Sequence, residues 1–209
     1  MALILTVLVV FLILCLNEAW WRKAKAHTEL GRKFVHITVG SFVAFWPFFL
    51  SWNEIKLLSL AFLLVVVVSK YLRVFRAIHS VQRPTWGEVY FALAVGFVTF
   101  ITHNKWIYLT ALLQMSLADG LAAIFGVLYG QRQRYLVFGQ TKSVVGTLTF
   151  LIVSMAILGV FGLYGGIHID PPVMLGIAAG ASIIENLGVF GLDNLFVPLL
   201  VAGALRLIN

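Results

Sequence analysis

Two acidic residues lie inside otherwise apolar stretches of the sequence, where a charge is costly. Asp119 interrupts the run MSLADGLAAIFG, and Glu185 interrupts the run GASIIENLGVFG. Carboxylates in such positions usually pair, titrate or bind an ion, although each could also be a protonated residue that only packs. Mg²⁺ prefers oxygen ligands and often shares them with substrate phosphates, so one ion would satisfy both acids.

A group of cations and one histidine shares a helical face earlier in the chain. Arg32, Lys33, His36 and Gly40 are spaced so that they lie along one side of a helix. Two cations beside an imidazole suit phosphate binding, and His36 is a candidate proton acceptor. The alternative is that Arg32 and Lys33 only extend towards the membrane surface.

The segment TKSVVGT at 141–147 predicts a second phosphate-binding element. Lys142 supplies a charge, Ser143 can cap a helix or contact a metal-bound phosphate, and Gly146 allows close approach of the backbone. It is not a Walker A loop, because the glycine-rich run before the lysine is missing. We expect Lys142 to act in catalysis as well. The predicted phosphate-binding set is completed by Arg132, Arg134 and Thr147.

The composition indicates which fold must position these residues. Of the 209 residues, 61% are hydrophobic and 11% are charged, and the mean hydropathy is +1.00, which excludes a water-soluble globule. Since about 20 apolar residues cross a bilayer, we predict an all-α, polytopic integral membrane bundle of about eight transmembrane helices, with seven as the alternative. It forms a single domain over 1–209, and the first span is a membrane helix and not a cleaved signal peptide. The predicted spans are 2–20, 34–51, 54–71, 88–103, 106–128, 143–164, 172–191 and 194–208.

The placement of charge predicts the orientation of this bundle. The formal net charge is +7, and twelve of the 15 Lys and Arg residues fall in the alternate segments 22–33, 70–83 and 132–142. The positive-inside rule puts this face in the cytoplasm, and we expect a prokaryotic cell membrane. A nucleic-acid partner explains the charge poorly. Helices that start at this face present their positive ends to it, where phosphates bind. Further polar residues in the same layer are Glu88, Asp193 and Asn194.

Five motifs together resemble a known family. In order they are GRKFVHITVG, GEVYFALAVG, ADGLAAIFGVLYG, TKSVVGT and SIIENLGVFGLDNLFVP, within residues 29–200. This order is similar to that of the polyprenol kinase family, which covers phytol kinase, dolichol kinase and CTP-dependent diacylglycerol kinase. The resemblance implies transfer of the γ-phosphate of CTP, or another nucleoside triphosphate, to a lipid alcohol such as phytol, geranylgeraniol, a polyprenol or diacylglycerol. The family is distantly similar to the phosphatidate cytidylyltransferases.

The resemblance also implies roles for individual residues. The positions that match the family's motifs are Arg32, Lys33, His36, Asp119, Lys142, Ser143, Gly146, Glu185, Asp193 and Asn194. Two positions depart from the pattern: Val127 replaces a basic residue, and Val145 replaces an acid that is common in the dolichol kinase branch. The first leaves Arg132 or Arg134 to supply any phosphate contact from that region, and the second favours the phytol or diacylglycerol branch.

The expected mechanism is in-line phosphoryl transfer at the cytoplasmic boundary of the membrane. Arg32, Lys33 and Lys142 hold the triphosphate, and a carboxylate or His36 accepts the proton of the lipid hydroxyl. Mg²⁺ is the expected cofactor, with Asp119, Asp193, Asn194 and Glu185 as its ligands.

Two other functions stay open at this point. A cytidylyltransferase would use CTP differently, and an ion-coupled transporter would use the two buried acids as a relay. Glycine pairs such as Gly126 and Gly130 indicate close helix contacts, and a homo-oligomer is also open.

Overall fold

The fold is almost entirely helical. A computed structural model of the chain describes residues 1–24, 29–72, 86–166 and 168–208. Each predicted apolar span coincides with a helical segment, so the all-α class is confirmed apart from one short β-hairpin. Of the basic residues in the alternate loops, Lys25, Arg73, Arg76 and Arg83 lie outside the described residues. The helices are α1 (Ala2–Ala24), α2 (Glu29–Ala44), α3 (Trp52–Leu72), α4 (Gly87–Ile101), α5 (Lys105–Leu113), α6 (Asp119–Tyr129), α7 (Val144–Tyr164), α8 (Pro171–Leu187) and α9 (Asp193–Leu207), with a 3-10 turn at Trp46–Phe48.

Three helices of the described chain are long and apolar enough to cross a membrane. They are Ala2–Trp20, Lys105–Tyr129 and Val144–Tyr164, and the helices α4 and α8 are apolar but shorter. Large apolar side chains also face outwards, with Phe100 69% and Leu163 80% exposed. A soluble monomer rarely exposes so much apolar surface, whereas lipid accommodates it. A helical membrane protein is therefore indicated, and eight crossings stay a prediction.

A π-helical segment, Gln114–Ala118, joins α5 to α6 and ends directly before Asp119. Such an insertion changes which way the following side chains point, and it frees backbone carbonyls from regular helical hydrogen bonds. The segment is almost wholly buried, and the Gln114 side chain donates to the carbonyl of Ser154 on α7 at 3.1 Å. It therefore fixes the direction of Asp119 within the bundle.

Two glycines let α2 lie unusually close to this buried segment. A Cβ atom at Gly40 would overlap Ser116, and a Cβ atom at Gly120 would overlap the side chain of Ile37. Only hydrogen atoms fit at these two points, so the backbones of α2 and α6 approach each other directly. This close packing brings the polar face of α2 next to Asp119.

A β-hairpin connects α6 to α7, where the sequence predicts only a loop. Its strands, β1 (Arg134–Val137) and β2 (Gln140–Ser143), pair antiparallel. The turn residues Phe138 and Gly139 both have positive φ, of 46° and 76°, as a type I′ turn requires. Lys142 therefore lies on a strand, while Ser143 caps α7 and the helix begins at Val144, one residue after the predicted start of that span.

Candidate functional site

The deepest part of the site is an ion pair between α2 and α6. The Lys33 Nζ donates to both carboxylate oxygens of Asp119, at 2.9 Å to Oδ1 and 2.6 Å to Oδ2. The side chains are only 12% and 4% exposed, respectively. A charge at this depth needs a partner, because burying it alone costs several kcal/mol. The pair thus explains how the apolar run around Asp119 tolerates an acid.

His36 lies beside this pair, one helical turn after Lys33. Its Nε2 is 3.0 Å from the carbonyl oxygen of Met115 in the π-helical segment and 3.7 Å from Asp119 Oδ2. A carbonyl oxygen can only accept, so Nε2 carries a hydrogen in this arrangement. The ring also meets the edge of Phe91 at a centroid distance of 5.5 Å. If His36 accepts a proton here, it does so through Nδ1.

A second buried ion pair joins the hairpin to the end of α8. The Lys142 Nζ lies 2.5 Å from Glu185 Oε1 and donates to the Glu185 backbone oxygen at 2.8 Å. The side chains are 17% and 8% exposed, respectively. The two predicted intramembrane acids are therefore each held by a lysine.

Asp193 and Asn194 begin α9 beside these pairs. The charges of Asp119, Glu185, Lys33 and Lys142 all act on the Asp193 carboxyl, so the structure brings the predicted ionisable residues into one cluster. No ion pair joins Asp193 to another side chain of the described residues. The cluster thus holds one carboxylate without a direct cationic partner.

The start of α9 is fixed by close contact with the start of α4. Asn194 Nδ2 donates to the Gly87 carbonyl at 3.1 Å, and the Trp86 amide donates to the carbonyl of Phe190 at 3.0 Å. Gly191 has φ of +90°, and a Cβ there would lie 2.6 Å from Gly87 Cα. The N-termini of α4 and α9 therefore lie together, and α9 begins at the charged cluster.

Asn194, which follows Asp193 in the sequence, offers an oxygen that could act as a metal ligand. Its Oδ1 is buried and has no hydrogen-bond partner among the described residues. Mg²⁺ is commonly held by one or two carboxylates together with substrate phosphates. No group of three or more His, Cys, Asp or Glu side chains in the described chain is arranged to hold a metal ion. Asp193 and Asn194 are thus the two members of the predicted magnesium set that form no ion pair with a lysine among the described residues, and the cofactor stays a prediction.

The predicted phosphate-binding residues of TKSVVGT have structural contacts of their own. The Ser143 hydroxyl accepts from the Gly146 amide at 3.1 Å and caps α7. A Cβ at Gly126 would lie 2.9 Å from this hydroxyl oxygen, so the glycine pair predicted as a helix contact packs against the start of α7. Thr147 hydrogen-bonds to the Ser143 carbonyl at 3.2 Å.

Other predicted site residues lie at the edge of the cluster. Arg132 and Arg134 are exposed, and Arg134 points away from the helices on the outer face of β1. Arg32 is half-buried, with Nη1 3.7 Å from the position that a Cβ of Gly87 would occupy. Glu88 is half-buried in the first turn of α4. Phosphate binding by these residues is not decided by their positions.

Tyr135 and Asn186, which connect the hairpin to α8, were not predicted as site residues from the sequence. The Tyr135 hydroxyl donates to Asn186 Oδ1 and also hydrogen-bonds with the Thr147 hydroxyl. Asn186 could have been picked out from the sequence, because it is a polar residue directly after the acid Glu185 in an apolar run. Tyr135 gives no such signal, because its partners are distant in the sequence.

Comparison with known proteins shows the family of the chain. The chain is 34% identical over 186 residues to the phytol kinase of Synechocystis sp., an alignment that covers 85% of this chain and 78% of that protein. No family model matches the chain, and no solved structure matches it. The chain belongs to the polyprenol kinase family, to which phytol kinase belongs, so the resemblance in the motifs is confirmed.

Proposed function

We propose that this protein phosphorylates an isoprenoid alcohol of the phytol type, with CTP as the donor. The observation that carries the proposal is the 34% identity to a phytol kinase, in an alignment that covers 85% of this chain. The cluster supports it chemically, because phosphoryl transfer depends on positioned cations and carboxylates. Val145 agrees with the phytol or diacylglycerol branch, and the identity to a phytol kinase favours the first.

The two buried ion pairs define the state of the site before substrates arrive. Lys33 and Lys142 are the cations closest to the cluster, and each is neutralised by a carboxylate. A triphosphate carries several negative charges and competes for both ammonium groups. In the proposed donor complex, Lys33 and Lys142 turn from Asp119 and Glu185 to the phosphates.

Asp119 is then free to act on the lipid alcohol. It is the most deeply buried of the three carboxylates in the cluster, and the alcohol approaches from the hydrocarbon side. In the proposed step, the alcohol oxygen attacks the γ-phosphorus, the hydroxyl proton goes to Asp119, and the bond to the β,γ-bridging oxygen breaks. The products are a lipid phosphate and CDP.

Asp193 and Asn194 fit the role of holding Mg²⁺ with the donor. They are consecutive residues at the N-terminus of α9, and the buried Asn194 Oδ1 has no partner in the described chain. The ion would neutralise charge on the phosphates. We place this site on the cytoplasmic side of a prokaryotic membrane, in agreement with the basic loops.

An acceptor and donor screen tests the proposal. Purified protein in lipid nanodiscs is given phytol, geranylgeraniol, a long polyprenol or diacylglycerol with either CTP or ATP, and products are measured by lipid mass spectrometry. We expect a monophosphate of phytol or geranylgeraniol with CTP. Phosphatidate formed only from diacylglycerol would move the protein to the diacylglycerol branch and contradict the proposed acceptor.

A further inference from the structure

The β-hairpin is attached to the helices through a polar junction, formed by Tyr135, Thr147 and Asn186. Tyr135 hydrogen-bonds to both other side chains, and the Thr147 hydroxyl lies 3.1 Å from Asn186 Oδ1. Asn186 Nδ2 in turn donates to the Ser182 carbonyl at 2.9 Å, which fixes the orientation of its amide. One side chain from β1 is thereby joined to both α7 and α8.

The register of the hairpin puts this junction beside Lys142. Tyr135 and Lys142 are directly paired across the two strands. Directly opposed residues of an antiparallel pair point to the same face of the sheet. The alternation of exposed and half-buried residues along β1 confirms that this face meets the helices, whereas Arg134 and Leu136 point outwards. Tyr135 and Lys142 therefore enter the same side of the site.

The polar ends of Tyr135 and Lys142 bind two consecutive residues of α8. Tyr135 binds the side chain of Asn186, and Lys142 binds the side chain and the carbonyl of Glu185. Two adjacent positions of α8 thus hold two paired positions of the hairpin. If Lys142 leaves Glu185 for a phosphate, its own contact with α8 is lost, while the contact through Tyr135 remains.

We infer that Tyr135 and Asn186 are positioning residues that hold the hairpin against α8 so that Lys142 reaches the triphosphate. The inference rests on the proposed function, since it assigns a substrate contact to Lys142. Lys142 binds the phosphate, whereas Tyr135 and Asn186 position Lys142. Neither Tyr135 nor Asn186 contacts the substrate in this account.

Affinity for CTP without a lipid acceptor tests the inference, measured by calorimetry on protein in nanodiscs. Tyr135→Phe removes one hydroxyl and keeps the ring, and Asn186→Ala removes the acceptor. Each is expected to weaken CTP binding about 3- to 10-fold, the effect of one lost hydrogen bond. The two together are expected to weaken it no more than either alone, because they break the same junction.

The matched control is Tyr129→Phe, which makes the same change on a tyrosine that is 67% exposed at the end of α6. It is expected to bind CTP as the wild type does. A double-mutant cycle gives the sharper readout: in a Lys142→Gln background, Tyr135→Phe is expected to have no further effect on affinity. Because affinity does not depend on the amount of folded protein, a purely structural role would not produce this pattern.

The possible outcomes separate this inference from the proposed function. Wild-type protein that binds neither CTP nor ATP contradicts the proposed function, and this inference with it. Normal CTP affinity in both Tyr135→Phe and Asn186→Ala contradicts this inference alone. A full additional loss on Tyr135→Phe in the Lys142→Gln background also overturns it, because Tyr135 would then act independently of Lys142.

Discussion

At the level of single residues, the site is a set of charges that neutralise one another. Lys33 with Asp119 and Lys142 with Glu185 form two buried pairs, and Asp193 lies within reach of both. All five residues were predicted from the sequence: Asp119 and Glu185 because charges are rare in apolar runs, and Lys33, Lys142 and Asp193 from their motifs and their place near the basic face. Their pairing was not, since the partners are 86 and 43 positions apart and only the fold brings them together. The predicted direct ligation of Mg²⁺ by Asp119 and Glu185 therefore competes with lysine.

The first prediction concerns Asp119. Asp119→Asn is expected to lower the rate of lipid phosphorylation at least about 100-fold, the usual contribution of a proton acceptor. The control is Asp170→Asn, the same change at a side chain that is 73% exposed, and it is expected to leave the rate unchanged. Equal rates in Asp119→Asn and wild type would exclude Asp119 as the acceptor.

A second prediction separates the stability of the pair from its function. Lys33→Met alone leaves the Asp119 carboxylate buried without its partner and is expected to cost about 3–5 kcal/mol of stability. Lys33→Met combined with Asp119→Leu removes both charges and is expected to recover most of that loss, while activity stays absent. Thermal unfolding in detergent and a phosphorylation assay measure the two effects. A double variant as unstable as the single one would show that the pair does more than neutralise charge.

At the level of elements, a π-helical segment and a β-hairpin position Asp119 and Lys142, and neither element was predicted. The π-helical segment Gln114–Ala118 directs Asp119, and no feature of a single sequence marks such an insertion. The hairpin directs Lys142. Its ten residues lie between two long apolar runs, which dominate the hydropathy pattern of the sequence. The helices themselves were predictable, because a bilayer requires long apolar stretches.

Close packing of α2 on α6 gives a third prediction. Gly120→Ala is expected to destabilise the protein by about 1–3 kcal/mol and to lower activity, since its Cβ would overlap Ile37. Gly159→Ala is the matched control, because a Cβ at Gly159 meets nothing within 4 Å. That change is expected to be neutral or slightly stabilising, as alanine favours helix. The comparison uses unfolding temperature and activity, and a neutral Gly120→Ala would refute the close approach. Adding Ile37→Ala to Gly120→Ala is expected to restore part of the lost stability, because it removes the side-chain atoms that the new Cβ would overlap.

At the level of the whole molecule, the fold gathers the buried charged cluster at one end of an apolar bundle. The start of α2, α4 and α9, the hairpin and the end of α8 all meet there. This arrangement suits a reaction between a water-soluble donor and an alcohol that stays in lipid. The loop charges predict that this end faces the cytoplasm.

Cysteine labelling in cells tests that orientation. In a Cys15→Ser background, a cysteine is placed by Gln131→Cys beside the hairpin or by His168→Cys before α8, both at exposed positions. A membrane-impermeant maleimide is expected to label the second variant in intact cells and the first only after the cells are opened. The reverse pattern would put the charged cluster on the outer side of the membrane.

Transfer of the γ-phosphate of CTP to the lipid hydroxyl can be followed with labelled CTP. Wild-type protein in nanodiscs with phytol is given CTP labelled at the γ- or the α-phosphate, and the lipid product is counted. The account predicts label in the lipid from γ-labelled CTP alone, and none with Asp119→Asn. Label from α-labelled CTP would show transfer of a cytidylyl group and would contradict the account.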